Sequence, residues 1–179
     1  MPHQLLLADS ETSKDVLTFI GRSTRISDEG IRLQAANGTL ALTGAALAPH
    51  GLFDQTPTVL AMRIVRVDPE LECDVVVSSL AATDDPQILT FPDTGLSPAW
   101  AGVAPPRGEW QPSGSLDASV IAQRAQWGIS AVARGATPGA GEEAVRALRA
   151  AIWGEADEDL DDLPRGVAFA ADALGFIPG

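Results

Sequence analysis

The sequence has no tyrosine, one cysteine, one lysine and two histidines. Each shortage removes a class of chemistry. With Cys73 alone, no disulfide can form within the chain, and a thiolate zinc or iron–sulfur site lacks its ligands. His3 and His50 are too few for an all-histidine metal site and leave little material for a Ser-His-Asp arrangement. The G-x-S-x-G and H-E-x-x-H patterns are missing. The lack of tyrosine removes another common acid and base. No window approaches the roughly 18 apolar residues of a membrane span. The opening "MPHQLLLADS" has no cationic region, so a signal peptide is not expected. These features predict a cytoplasmic protein that needs no metal or cofactor.

Positive charge is also scarce. The chain carries 12 Lys and Arg against 24 Asp and Glu, a net charge of −12. The deficit is even: residues 1–92 and 93–179 each hold 6 basic and 12 acidic residues, −6 apiece. With no basic stripe to neutralise phosphates, neither nucleic acid nor an anionic membrane is an expected partner. At 179 residues and 45% hydrophobic, the chain can fold around an apolar core without covalent staples.

The patterning predicts an α+β protein, strands first and helices last. Residues 1–92 read as an antiparallel β-rich part with one short helix over 9–22, in which Thr12 and Asp15 have capping-box spacing. Residues 31–43, "IRLQAANGTLALT", alternate on both sides of Asn37-Gly38, the signature of a type I′ hairpin. Three further apolar runs at 57–67, 71–80 and 87–91, separated by short turns, predict a meander. The first of these, apolar on both faces, reads as a central strand. Residues 93–114 form a Pro/Gly/Trp-rich connector. Residues 115–179 predict about three helices, at 115–135 (capped by Ser115), 142–153 and 164–176. Gly128 and nearby alanines would allow close approach of another element, and Glu142 and Arg146 form an i,i+4 pair.

Several motifs imitate catalytic ones and fall short. Asp93-Thr94-Gly95 resembles an aspartic-protease loop, but that chemistry needs two such aspartates, and a turn explains one. Asp157, Asp159 and Asp161 occupy the first three ligand positions of an EF-hand loop. Asp162 stands where glycine belongs and Ala168 where the bidentate glutamate belongs, so the stretch reads as a solvated acidic loop. "GATPGAG", 135–141, lacks the Lys-Ser/Thr of a P-loop and follows a helix, so it reads as a helix connection. His50 could pair with Asp54 as a general base, though it reads better as a surface-loop histidine. No catalytic residue is assigned.

"PAWAGVAPPRGEWQPSG", 98–114, brackets Arg107 between Trp100 and Trp110. It reads as a strap whose tryptophans pin it down. The alternative is a recognition surface in which Trp100, Arg107 and Trp110, with Arg63 or Arg66, meet an anionic ligand. Arg63 and Arg66 point to opposite faces of one strand, so at most one could serve such a pocket. The last segment, with Phe169, Leu174, Phe176 and Ile177, is apolar on most sides and reads as core or as a dimer interface.

At "PPRGEW", "RALRAAIW" and "LPRGVAFAADALGF" the chain resembles a group of small proteins of high-GC Gram-positive bacteria. The likeness lies mostly in residues 105–177. It implies an actinobacterial origin and a two-part layout, and carries over no functional residue. The expected function is that of a non-enzymatic cytoplasmic binding or assembly module acting through an apolar partner or dimer surface. The alternative is a protein that binds a small anionic molecule, or an enzyme acting on one, with a pocket between sheet and helices.

Overall fold

The structure is a computed structural model that describes residues 3–92, 95–106 and 108–177. It is α+β, with antiparallel sheets and one helix first and helices after them. The chain divides into two compact units, one of Met1–Ala46 with Leu60–Gly102, the other of Leu47–Val59 with Val103–Gly179.

In the first unit, strand β1 (His3–Leu6) leads to helix α1 (Ser10–Ile26). The helix starts at Asp9, whose carboxylate accepts from the Thr12 N–H at 2.7 Å. Thr12 and Asp15 therefore do not form the expected capping box, because Asp9 already holds the cap and Asp15 is engaged elsewhere. Strands β2 (Ile31–Ala36) and β3 (Thr39–Leu47) form the expected hairpin. Asn37 and Gly38 have φ of 52° and 76°, as a type I′ turn requires. Strands β4 (Val59–Arg66), β5 (Cys73–Val77), β6 (Ala81–Ala82) and β7 (Ile88–Phe91) follow.

These last strands are not a meander. The four-stranded sheet has the order β4-β3-β2-β5, and the three-stranded one β1-β7-β6. The hairpin takes the centre because it carries Leu33, Leu40 and Leu42, all fully buried. β4 is thus an edge strand rather than a central one, and in its second half Ile64 and Arg66 are exposed. The chain passes from one edge to the other around the hairpin tip. There Val67 N–H bonds Gly38 C=O, Leu71 N–H closes a turn on Asp68 C=O, and Pro69 packs by Gly38.

The connector is divided. Its first part belongs to the first unit: Leu96 N–H bonds Val76 C=O at 2.7 Å, and Ala99–Gly102 form a short 3-10 turn. Gly30 permits this course. It has φ +83°, and a Cβ there would lie 2.8 Å from Leu96 Cδ1.

The second unit contains α2 (Ala118–Gly135), α3 (Glu142–Gly154) and α4 (Gly166–Ala173). A small ribbon, β8 (Ala156–Asp157) with β9 (Leu163–Pro164), encloses a 3-10 turn. Asp117 rather than Ser115 caps α2, accepting from Ser119 N–H. Trp153 sits at the centre of this unit, buried, with its indole over Gly128 and stacked on Phe169 at 4.6 Å between ring centroids. Below it Ala125, Leu160 and Ala168 form the core, with Leu116, Val120 and Ile121 packed against them. The segment before β4 belongs here, since Leu47 seats against Gly166 and Pro57 against Gly154. Among the described residues, no helix is long and apolar enough to cross a membrane.

Candidate functional site

The described residues singled out from the sequence are divided between the two units. Trp100 is packed at 3% exposure in the first unit, and its indole N–H is buried without a hydrogen-bond partner among the described residues. Trp110 belongs to the second unit and is 64% exposed. The strap reading therefore suits Trp100 and not Trp110. Arg107 lies outside the described residues, as do Asp93 and Thr94.

The strap is fixed by an arginine the sequence did not mark. Arg32 grips both oxygens of Asp74 across the β2–β5 ladder, at 2.7 and 2.9 Å, and gives its remaining arm to Ala101 C=O at 2.8 Å. Gln34 supports the same carboxylate. The Asp74 hydrogen bond pushes the Arg32 pKa further up, so this cation is permanent. Arg63 is half-buried and makes a two-armed pair with Asp15 of α1, at 2.8 and 2.5 Å. Arg66 is exposed.

A second ionic cluster organises the helical unit. The acidic stretch is not merely solvated: Asp157 is only 5% exposed. It accepts from Arg165 Nε at 2.8 Å and lies 3.5 Å from Arg124 Nε. Arg165 also reaches Glu155 at 2.6 Å, and its guanidinium lies 4.5 Å from the centre of the Trp127 ring. Arg124 pairs with Asp159 as well. The hydrogen bond to Asp157, ahead of that to Glu155, pushes the Arg165 pKa up. Asp161 and Asp162 adopt left-handed φ of 54° and 60°, a backbone that aspartate tolerates better than most residues. Among the described residues, no three His, Cys, Asp or Glu side chains are grouped to hold a metal.

The expected interface residues are divided. Leu174 is buried and Phe169 is half-buried against Trp153, so both serve the unit's own core. Ile177 is half-buried and Phe176 is partly exposed.

The most exposed apolar side chains lie elsewhere, on the turn before β4. Leu52 is 94% and Phe53 93% exposed. The turn is held by Asp54, whose carboxylate accepts from His50 N–H at 2.8 Å, Thr56 N–H at 2.9 Å and the Thr56 hydroxyl at 2.5 Å. Asp54 thus builds the turn, and the charge of the nearby His50 side chain adds a smaller attraction to the same carboxylate. The Thr56 hydroxyl, followed by the two backbone donors, lowers the Asp54 pKa from 3.8 to about 2.

This shift has a testable consequence. A carboxylate with a depressed folded-state pKa stabilises its turn fully above its unfolded value and loses that contribution as pH falls through the folded one. An NMR titration should therefore give Asp54 a midpoint near 2, with the turn loosening between about pH 4 and 2. An ordinary midpoint would show that the three donors are not in place.

The fold defines the class first: an α+β protein whose β-rich and helical parts form separate compact units. The chain belongs to the family described as Domain of unknown function (DUF8010), which matches residues 1–102. Residues 105–179 match a second, described as Domain of unknown function (DUF8185). No curated protein and no solved structure matches the chain.

Proposed function

We propose that the chain is a non-enzymatic cytoplasmic assembly module that joins a second copy of itself through an apolar surface. The observation that carries this reading is the Leu52–Phe53 pair. Isolated exposed apolar residues are ordinary, but two adjacent ones on a turn fixed by three hydrogen bonds form a ready anchor. The internally paired charges support the same reading. Arg32, Arg63 and Arg165 are bonded to carboxylates of their own unit, in a building role. The resemblance to small proteins of high-GC Gram-positive bacteria adds an actinobacterial source to the proposal.

Magnitudes set the expected strength. Burying one leucine or phenylalanine contributes about 1.5–3 kcal/mol. The four side chains of a symmetric pair then supply roughly 6–12 kcal/mol against an association cost of about 4–15 kcal/mol. The dimer should be weak and concentration-dependent. The anionic-ligand pocket has less support, because Asp15 holds Arg63 and Arg66 is exposed.

Native mass spectrometry of the wild type and of a Leu52→Ser/Phe53→Ser double variant tests the proposal. The expected result is twice the 18.6 kDa chain mass for the first and the single mass for the second, with unchanged circular dichroism. A dimer that survives the double substitution would overturn it.

A further inference from the structure

β4 ends one sheet, so one row of its backbone groups faces away from β3. Two hydrogen bonds identify that row. Val67 N–H turns toward the hairpin, to Gly38 C=O, whereas Asp68 N–H turns the other way, to Leu6 C=O. Since N–H directions alternate along a strand, Leu60, Met62, Ile64 and Arg66 aim their backbone groups outward with Asp68. The Leu7–Val67 bridge covers only the end of this row. Among the described residues, no backbone carbonyl meets the N–H groups of Leu60, Met62 and Ile64 on that side. An edge of this kind is a template for another strand.

The side chains specify the visitor. Residues of one parity share a sheet face, so Ile64, 58% exposed, and Arg66, also exposed, stand two positions apart on the same face. Residues 56–67 contain two arginines and no acidic residue, in a chain of net charge −12. Arg66 is the exposed cation of this edge, with Asp68, half-buried and accepting from Glu70 N–H, next on the same row. Arg63, on the other face, is engaged with Asp15, which leaves Arg66 to select charge.

We propose that the outer edge of β4 binds an extended peptide segment of a partner protein, with an apolar residue opposite Ile64 and a carboxylate opposite Arg66. Backbone hydrogen bonds would provide the affinity, and the Ile64–Arg66 pair the selectivity. This site is separate from the Leu52–Phe53 turn.

The probe is a short fluorescent peptide in which threonine alternates with valine and glutamate in turn. Its anisotropy should rise to saturation on adding the wild-type protein, and the binding should weaken with salt. A counterpart carrying lysine for glutamate should bind at least about tenfold more weakly, with Arg66→Glu reversing that preference. Ile64→Pro removes one outward N–H while leaving the β3 ladder intact, so it should cut affinity about tenfold without loss of fold. Val65→Pro, whose N–H faces β3, should instead destabilise the protein. No saturable binding, or equal binding by Ile64→Pro and Arg66→Glu, would overturn the proposal. So would a wild-type dimer that Ile64→Pro dissolves, because a second copy would then occupy the edge.

Discussion

Replacing Gly128 with alanine is expected to destabilise the helical unit by about 2–4 kcal/mol, although alanine is the better helix former by roughly 1 kcal/mol. A Cβ at this position would lie 2.1 Å from Trp153 Cζ3 and 2.3 Å from Cη2. The indole cannot yield easily, since it is buried and stacked on Phe169. It must move as a block, and α3 with it, because interiors are packed too densely to absorb a methyl group. Urea unfolding followed by circular dichroism measures the effect. A Trp153→Phe change made together with Gly128→Ala should cost less than the sum of the two single changes, because the smaller ring relieves the clash. An unchanged urea midpoint for Gly128→Ala alone would mean that the indole does not rest on α2.

Arg165→Met is the second large effect. It strands the Asp157 carboxylate, which then keeps only the longer contact with Arg124 and the Asp159 N–H at 3.1 Å. Removing one member of a buried pair costs about 3–5 kcal/mol. Arg165 keeps some exposure, 16% of its side chain, so about 2–4 kcal/mol is expected. Arg165→Lys should recover only part, since lysine keeps the charge but cannot serve Asp157 and Glu155 as a fork or lie flat on Trp127. Replacing Asp157 and Arg165 together with Leu and Met should cost less than Arg165→Met alone, because no charge is then left unpaired. If Arg165→Met unfolds at the wild-type midpoint, the cluster contributes nothing to the fold.

Local signals in the sequence were legible and tertiary ones were not. Asn37-Gly38 announced its hairpin because a type I′ turn demands two positive φ angles within two residues. Gly128 announced a close approach because a glycine inside an apolar helix needs a packing reason. The position of β4 was hidden: its apolar pattern suits a central strand, and only the fully buried leucines of β2 and β3 claim that place. The role of Asp157 was hidden too, since its partner Arg165 lies across a ribbon that the spacing of aspartates does not reveal. Leu52 and Phe53 carry no periodic or motif signal in the sequence. Their exposure depends on which donors the Asp54 carboxylate accepts from, which is a property of the folded turn.

Sedimentation equilibrium of the unaltered protein, over a wide concentration range at low and high salt, tests the assembly reading most directly. Two copies of net charge −12 repel one another, and salt screens that repulsion while leaving apolar contact intact. The expected result is a monomer–dimer equilibrium that shifts toward dimer as salt rises. A monomer at every concentration, or a dimer that salt dissolves, would contradict assembly through an apolar surface.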